Sequence, residues 1–291
     1  MALKSNTART EALIEALPFI QKFRGKLVVV KYGGSAMDDV HAVERLLRDV
    51  VFLEAVGINP VLVHGGGKAI TDKMRQAGLK ARFINGLRMT DEKGIAIVEE
   101  ILDGVVNPKI VQTINDFGGK AVGLSGKSVF RAEKLPPQND DGELVDLGFV
   151  GEVVSVLTQQ VQEIVAQEKV PVISPIAQDE NGICYNVNAD IGAGQIASAL
   201  KATKLIYVSD VPGIMRDPKQ ADSLIPSINR ASIDTLINDE IISGGMIPKV
   251  SSAIEALNNG VGTVHFIDGR IQHSLLLEIF TNDGIGTEIV P

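Results

Sequence analysis

The hydrophobic residues of this chain fall into short continuous runs that are separated by longer amphipathic segments. The runs are rich in β-branched residues and lie at 27–30, 61–63, 121–124, 171–174, 205–208 and 264–267. A strand that is apolar at every position is typical of a parallel sheet covered on both faces. The runs therefore predict the strands of a buried sheet.

The segments between the runs repeat apolar side chains at helical spacing. Clear stripes of this kind occupy residues 43–53, 95–102, 110–117 and 253–257. Alternation of strands and helices along the whole chain predicts an α/β fold, an αβα sandwich around a mainly parallel central sheet. In such folds ligands bind beyond the carboxyl ends of the strands.

Three regions depart from this alternation and suggest how the chain is divided. Residues 131–149 are rich in turn formers and predict a surface hairpin or loop. Turn signals at 175–185 suggest a boundary between two lobes, 26–180 and 181–291. Residues 1–25 precede the first strand, and there we expect an amphipathic helix from Glu11 to Phe23, capped by Thr10 and kinked at Pro18.

Composition and charge exclude several classes of protein. The 291 residues are 45% hydrophobic and 22% charged, which fits a folded globular chain. The formal net charge of −8 argues against general nucleic-acid binding. No apolar run approaches the roughly 18 residues of a membrane span, and the first 25 residues lack the apolar core of a signal peptide. We expect a soluble protein without a nucleic-acid or membrane partner.

The cysteine and histidine content limits the chemistry further. Cys184 is the single cysteine, which excludes an internal disulfide and a multi-cysteine metal site. The four histidines are scattered, and no HExxH pair is present. We therefore expect no protein-bound metal and a reducing compartment, the bacterial cytoplasm or an organelle stroma.

Glycine is the compositional outlier, with 29 residues that are partly clustered. Gly126-Lys127-Ser128 resembles the end of a P-loop, but the opening glycine is replaced by Ala121. Residues 192–197 match a dinucleotide fingerprint, but a polar segment stands where its apolar first strand belongs. Both matches are therefore weak, and a nicotinamide-dependent dehydrogenase is only a distant alternative.

The stronger signal is a pair of strands that each end in glycines. Residues 28–30 run into Lys31-Tyr32-Gly33-Gly34, and residues 61–63 run into His64-Gly65-Gly66-Gly67. Glycines at a strand–helix junction expose backbone amides to an anion, and a lysine beside them can reach a phosphate. Each motif alone also fits an ordinary tight turn with a surface lysine. Two on neighbouring units favour an anion site at one edge of the sheet.

These motifs belong to a larger set that resembles a known family. In order along the chain stand Lys31-Tyr32-Gly33-Gly34, His64-Gly65-Gly66-Gly67, Asn85-Gly86-Leu87-Arg88, Asn186-Val187-Asn188-Ala189-Asp190, Ser209-Asp210-Val211-Pro212-Gly213-Ile214 and Gly244-Gly245-Met246-Ile247-Pro248-Lys249. Together they resemble the amino-acid kinase family, from about residue 10 to the end. The motifs Asn85-Gly86-Leu87-Arg88 and Asn186-Val187-Asn188-Ala189-Asp190 resemble the branch of that family that phosphorylates N-acetyl-L-glutamate.

The resemblance implies transfer of the γ-phosphoryl group of ATP, carried with Mg²⁺, to the side-chain carboxylate of N-acetylglutamate, the second step of arginine biosynthesis. It implies catalytic roles for Lys31, Lys249, Asp190, Gly34 and Gly66. It implies substrate contacts from Gly66, Gly67, Arg88, Asn186 and Asn188. The nucleotide site would comprise Lys31, Asp210, Val211, Pro212, Gly213, Ile214, Met215, Ile241, Ile242, Ser243 and Lys249.

Several of these residues, taken singly, also fit ordinary structural roles. Asp190 could cap a helix, Arg88 could be a solvated surface arginine, and Lys249 could be a helix-start lysine. A kinase for another acidic amino acid is the alternative within the same fold. A nonenzymatic module that binds arginine or a carboxylate is the rival from another class. Two phosphoryl-neutralising lysines argue against that rival, because a binding module has no need of them.

The resemblance also implies regulation and assembly. Arginine-inhibited members have a helix before the first strand that interlaces with its counterpart on another dimer, giving a hexamer of three dimers. An arginine site is implied at His265, Glu278, Gly284 and Gly286, with Glu278 receiving the ligand. A PII-type signal protein is a further candidate partner.

Overall fold

The computed structural model describes the backbone of residues 2–37 and 39–291, with the side chains of all of these except 2–9, 35, 36 and 221. Met1 of the predicted N-terminal segment lies outside the described residues. The α-helices of the described residues are α1 Ala2–Phe23, α2 Val40–Ala55, α3 Gly67–Gln76, α4 Glu92–Ile101, α5 Asn107–Asp116, α6 Gln159–Ala166, α7 Ala189–Leu200, α8 Ile233–Asn238, α9 Met246–Asn258 and α10 Ser274–Phe280. A π-helical segment, Leu102–Val106, joins α4 to α5. Within these ranges, no helix is long and apolar enough to cross a membrane.

The strands form one large sheet and three small ones. The large sheet comprises β1 Leu27–Tyr32, β2 Asn59–His64, β5 Ala121–Leu124, β10 Val170–Ile173, β13 Lys204–Ser209, β14 Ser227–Asn229, β15 Thr263–Asp268 and β16 Thr287–Val290. Their order is β14-β16-β15-β13-β1-β2-β10-β5, and all neighbours are parallel except β15 and β16. All six predicted runs are strands of this sheet, which confirms the mainly parallel α/β fold.

Three smaller sheets accompany the large one. A four-stranded sheet contains β6 Phe130–Lys134, β9 Gly151–Val156, β11 Ile176–Gln178 and β12 Cys184–Asn186. Two hairpins are made by β3 Phe83–Ile84 with β4 Leu87–Arg88, and by β7 Gln138–Asp140 with β8 Glu143–Val145. The second hairpin confirms the predicted surface hairpin within 131–149.

Side chains on the two faces of the large sheet pack into separate cores. In β1, Val29 joins the core under α7 and α9, whereas Val28 and Val30 join the core under α2, α4 and α5. Successive strand residues point to opposite faces, so a continuous apolar run buries itself in both layers. This is the predicted αβα sandwich.

The N-terminal helix is longer than predicted. α1 begins at Ala2, so Thr10 lies inside the helix and its assignment as the cap was wrong. Residues 2–10 contain alanine, leucine, lysine and arginine but neither glycine nor proline, and nothing in them stops a helix. Phe23, at the end of α1, is buried, while Leu13, Ile14 and Leu17 are between 44% and 64% exposed.

Candidate active site

The two glycine motifs meet at one edge of the large sheet. β1 and β2 are parallel neighbours, with Tyr32 opposite His64, so both strands deliver their glycines at the same level. The N–H of Gly65 donates to the carbonyl oxygen of Tyr32 at 2.7 Å. A Cβ on Gly65 would lie 3.2 Å from Cα of Gly33. The two turns are therefore in backbone contact, and this close approach favours glycine at both positions.

Asp190 lies between the two predicted phosphoryl-binding lysines. Lys31 Nζ lies 2.8 Å from Asp190 Oδ1, and Lys249 Nζ donates to Asp190 Oδ2 at 2.6 Å. Lys31 comes from β1, Asp190 from the first turn of α7, and Lys249 from the first turn of α9. Three separate segments thus form one cluster of two cations and one anion.

Burial and charge act against each other in this cluster. Lys31 is 6% exposed, and burial lowers the pKa of its ammonium group, although Asp190 acts to raise it. Burial acts to raise the pKa of the Asp190 carboxyl, but Lys31 and Lys249 outweigh it and hold that pKa below its ordinary value. The carboxylate is therefore ionised at neutral pH, and it is the partner that holds a charged lysine in a buried position.

Asp190 is not the helix cap that it could have been. Asn188 caps α7, because its Oδ1 accepts from the N–H groups of Asp190 at 2.8 Å and Ile191 at 3.4 Å. This use of Oδ1 leaves the amide nitrogen of Asn188 free to donate to a ligand. The capping bond also fixes the first turn of α7, and with it the position of Asp190.

The backbone of Asp190 has two side-chain partners that the sequence analysis missed. Tyr207 Oη and Ser252 Oγ are 2.9 Å apart, and they lie 3.3 and 3.1 Å from the Asp190 carbonyl oxygen. Ser252 lies one turn after Lys249 on α9, so the i, i+3 spacing was a signal available in the sequence. Close packing of α7 on α9 requires glycine at 194, because a Cβ there would collide with Ser252 Oγ. The apparent dinucleotide fingerprint therefore serves helix packing.

The apparent P-loop end is also structural. Gly126 begins a 3₁₀ turn, Gly126–Ser128, and its N–H donates to Ser174 Oγ at 3.0 Å. A Cβ at this position would collide with the backbone carbonyl oxygens of Ser174 and Ile176.

Arg88 is buried against the glycine loop, so it is not a solvated surface arginine. The side chain lies on β4, and the residue is 6% exposed. Its Nη2 donates to the Gly67 carbonyl oxygen at 2.9 Å and to Thr71 Oγ1 at 2.8 Å. The guanidinium carbon lies 4.6 Å from the centre of the Phe83 ring. These contacts fix one edge of the planar group beside the start of α3.

A cavity of about 230 Å³ brings together most of the predicted catalytic and substrate residues. Those that line it are Lys31, Gly34, Gly66, Gly67, Arg88, Asn186, Asn188 and Asp190. Lys249 does not line the cavity, but it contacts Asp190, which does. The lining thus combines two cationic side chains, backbone groups of glycine and two side-chain amides. Such a lining suits a small ligand that carries a carboxylate and a second polar group.

The predicted nucleotide segments do not line the 230 Å³ cavity. Residues 210–215 follow β13, and residues 241–243 lie between α8 and α9. Ile214 and Ile242 are buried in the same core, so a nucleotide can meet these two residues only at their backbone. Thr287 Oγ1 accepts from the Ile214 N–H at 2.8 Å and thereby fixes this loop against β16.

The four residues of the predicted arginine site also come together. His265 Nδ1 lies 2.6 Å from Glu278 Oε1, and Glu278 Oε2 accepts from the N–H groups of Ile285 at 2.7 Å and Gly286 at 3.1 Å. A Cβ on Gly284 would lie 2.8 Å from Glu278 Oε2. Burial acts to raise the pKa of the Glu278 carboxyl, but His265 and the two amides outweigh it and hold that pKa low.

A cavity of about 510 Å³ adjoins this cluster. Its walls include His265, Glu278 and Gly284, and α1 contributes Phe19 and Phe23. The sequence analysis missed Lys204, which also lines the cavity and donates to His265 Nε2 at 2.8 Å.

Comparison with known proteins found relatives that align with almost the whole chain. The model of the amino acid kinase family matches residues 26–268. The acetylglutamate kinase of Methanocaldococcus jannaschii is 51% identical over 287 residues, which are 97% of this chain and 96% of that protein. The acetylglutamate kinase of Akkermansia muciniphila is 50% identical over 283 residues, 97% of this chain and 95% of that protein.

Solved structures share the fold. N-acetylglutamate synthase from Neisseria gonorrhoeae, complexed with coenzyme A and N-acetyl-glutamate, is 25% identical with a TM-score of 0.85 over 97% of this chain. This chain spans 63% of that longer protein. Carbamate kinase from Giardia lamblia bound to AMP-PNP has a TM-score of 0.66 at 18% identity, over 91% of this chain and 98% of that one. By its sequence and its fold, the chain belongs to the amino acid kinase family, and within that family it groups with the acetylglutamate kinases.

Proposed function

We propose that this protein transfers the γ-phosphoryl group of ATP to the side-chain carboxylate of N-acetyl-L-glutamate, as a step of arginine biosynthesis. The observation that carries the proposal is the cluster of Lys31, Asp190 and Lys249 beside the glycine turns. It offers two cations and exposed backbone to a group that is anionic throughout its transfer. The relatives at about 50% identity, which are acetylglutamate kinases, support the choice of acceptor.

The reaction needs positioning and charge more than it needs proton transfer. A glutamate side chain has a reference pKa of about 4.3, so the nucleophile is already ionised at neutral pH. The main barrier is the approach of one anion to another, and preorganised cations and amides lower it. In this proposal Lys31 and Lys249 neutralise the moving group, and the amides of Gly34 and Gly66 donate to its oxygens.

The substrate would lie in the 230 Å³ cavity. Arg88 would bind its α-carboxylate through the guanidinium edge that Gly67 and Thr71 do not use. Asn188, whose Oδ1 caps α7, would donate through its amide nitrogen. Asn186 would complete the contacts to the acetamido group.

The residues present fit ATP, and they fit a metal that is held by the nucleotide. Asp190 is the acid beside the predicted γ-phosphate position, and both of its oxygens are engaged by ammonium groups. We therefore propose that Mg²⁺ is bound by phosphate oxygens and water and supplies charge neutralisation there. Residues 210–215 and 241–243 would bind the nucleoside.

The division of labour between two lobes belongs to the same proposal. Lys31, Gly34 and Arg88 lie in 26–180, and Asp190 and Lys249 lie in 181–291. A reaction between groups held by the two parts requires both to be in contact with the substrates. We also propose a cytoplasmic location, consistent with the single cysteine.

The test is an ATP-consumption assay with a panel of acceptors. N-acetylglutamate, glutamate, aspartate and carbamate are compared at equal concentration, and hydroxylamine traps any acyl phosphate as a hydroxamate. Of the four acceptors, we expect only N-acetylglutamate to give ADP release and a hydroxamate. Turnover only with another acceptor would reassign the substrate, and no turnover with any acceptor would support a nonenzymatic binding module.

We further propose that L-arginine inhibits the enzyme by binding in the 510 Å³ cavity. Glu278 would receive a cationic group of the ligand, and α1 forms part of the same wall. The exposed Leu13, Ile14 and Leu17 of α1 would pack on another subunit, in the hexamer of three dimers that the resemblance implies. A PII-type protein stays a prediction of the resemblance.

Two variants separate the parts of this regulatory proposal. Glu278→Gln should raise the arginine concentration needed for inhibition while the uninhibited rate is retained. Deletion of residues 1–24 should both reduce oligomer size in sedimentation and change the arginine response. Unchanged inhibition in the deletion variant would refute a regulatory role for α1.

A further inference from the structure

A buried histidine lies directly behind the glycine loop, and the proposed mechanism does not use it. His64 is the last residue of β2 and has no exposed surface. Its Nδ1 lies 2.8 Å from the Gly65 carbonyl oxygen, and its Nε2 lies 3.1 Å from Nδ2 of Asn107. Asn107 is also buried, and its Nδ2 donates to the Val172 carbonyl oxygen at 2.9 Å.

These partners assign the hydrogen positions in the network. A backbone carbonyl can only accept, so Nδ1 of His64 carries a proton and donates to Gly65. The amide nitrogen of Asn107 can only donate, so Nε2 of His64 is the acceptor. Burial lowers the pKa of His64 to about 4, which keeps the ring neutral at physiological pH. The donors therefore run in one direction, from Asn107 to His64 to the Gly65 carbonyl.

The orientation of that carbonyl decides the orientation of the next amide. A trans peptide is planar, so the C=O of Gly65 and the N–H of Gly66 point in opposite directions. His64 holds the carbonyl, and the N–H of Gly66 must point away from His64. In the described part of the chain no acceptor is recorded for this N–H, and Gly66 lines the 230 Å³ cavity. The other peptide of Gly65 is fixed by the bond from its N–H to the Tyr32 carbonyl.

The π-helical segment supports this loop on its second side. A Cβ on Gly66 would lie 2.6 Å from Cδ2 of Leu102, the first residue of Leu102–Val106. Asn107 follows this segment directly. Wider turns of this kind recur near functional sites, where they re-aim side chains. Here the segment brings Leu102 against Gly66 and Asn107 against His64.

We propose that His64 and Asn107 are positioning residues that aim the Gly66 amide at the phosphoryl group in transfer. The inference rests on the proposed function, because it assumes that the Gly66 N–H donates to that group. His64 acts through the peptide that it holds and exchanges no proton with the substrates. Asn107 acts one step farther away, by keeping Nε2 of His64 as the acceptor and Nδ1 as the donor.

Two substitutions of His64 distinguish a donor at Nδ1 from mere filling of space. The short side chain of asparagine can place its amide N–H where Nδ1–H stands, whereas glutamine places its amide nearer the Nε2 position. His64→Gln should therefore lower kcat by about 10- to 100-fold, as expected for a misaligned donor. His64→Asn should retain markedly more of kcat. KM for N-acetylglutamate should change little in either variant, because Arg88 and the asparagines are untouched.

Asn107→Leu tests the second member, with Asp49→Leu as the matched control. Asp49 is also buried and is paired with a histidine, since His273 Nδ1 lies 2.6 Å from its Oδ1, but it does not line the 230 Å³ cavity. Both variants lose a buried hydrogen bond and should lower the melting temperature. Only Asn107→Leu should lower kcat, by about 10-fold or more.

The outcomes separate this inference from the proposed function. If the unsubstituted protein consumes no ATP with any acceptor, the proposed function fails. If it is active and His64→Gln and Asn107→Leu keep its kcat at saturating substrate, the positioning role is overturned. An equal fall in kcat for His64→Asn and His64→Gln would also overturn it, because the donor at Nδ1 would then have no distinct effect.

Discussion

Replacing Asp190 with asparagine tests the centre of the proposed site, because it removes one charge and almost no volume. Lys31 and Lys249 each lie within 2.8 Å of a carboxylate oxygen. With an effective dielectric constant of 20, unit charges about 4 Å apart attract by about 4 kcal/mol. Part of this is offset because the carboxylate no longer has to be desolvated. Breaking a buried pair by removing one partner typically costs about 3–5 kcal/mol.

Asp190→Asn should therefore be less stable and nearly inactive. At about 2 °C per kcal/mol for a chain of this size, the melting temperature should fall by roughly 6–10 °C at pH 7. Lys31 also loses the partner that raises its pKa, so the alkaline fall in kcat should move to lower pH. We expect kcat at pH 7 to fall by about 100- to 1,000-fold, as for loss of a preorganised electrostatic contact.

The pH dependence of stability provides a second, independent test of the Asp190 assignment. The folded-state pKa of Asp190 is lower than its unfolded value of about 3.9, so its contribution to stability is fully present above that pH. The contribution is lost as the pH falls through the folded-state pKa. The difference in melting temperature between the two proteins should therefore shrink below about pH 4.

A double variant supplies the control. In Asp190→Asn the two ammonium groups repel each other, so adding Lys249→Met should restore part of the lost stability without restoring kcat. Calorimetry and ADP-release kinetics measure both quantities. An unchanged melting temperature and an unchanged kcat in Asp190→Asn would refute the assignment of this carboxylate as the partner of both lysines.

Three further predictions concern other parts of the site. Lys249→Ala should lower kcat by about 100- to 1,000-fold with unchanged far-UV circular dichroism; near-normal turnover would contradict its phosphoryl role. Arg88→Lys should raise KM for N-acetylglutamate by about 10- to 100-fold in steady-state assays, since one ammonium group cannot keep the Nη2 contacts to Gly67 and Thr71 and also present the remaining guanidinium edge to the α-carboxylate. Arg82 precedes the β3–β4 hairpin that carries Arg88, and it donates to Asp140 of the β7–β8 hairpin at 2.8 Å. This ion pair joins the two hairpins. Reversing either charge should raise KM by about 2- to 5-fold, and the double reversal should recover it; no recovery would exclude this tether.

The central strands could be predicted from the sequence, whereas the strands at the β14 edge of the large sheet could not. Residues 27–30 and 205–208 predict buried parallel strands because every side chain in them is hydrophobic. β14 and β16 are short and contain polar residues, and β16 runs antiparallel to β15. Their place depends on pairing with strands distant along the chain, which local patterns do not encode.

The same distinction applies to the site. The resemblance indicated Lys31, Asp190 and Lys249, and the structure brings their charged groups into contact. It gave no indication of Tyr207 or of Asn107, which act on the site through other residues. Asn107 precedes a proline at the start of a predicted helix and resembles an ordinary helix start. Only the fold shows that it lies beside His64, 43 residues earlier.

The character of the reaction explains why a histidine in the second glycine motif need not be a base. A carboxylate nucleophile has no proton to lose near pH 7, so a group that titrates there would contribute nothing to the transfer. His64 is neutral, and both of its nitrogens already have partners within the protein. Directed hydrogen bonds are what a transfer governed by positioning requires. A buried imidazole provides a donor and an acceptor on one rigid ring, and this combination suits it to hold the peptide between Gly65 and Gly66.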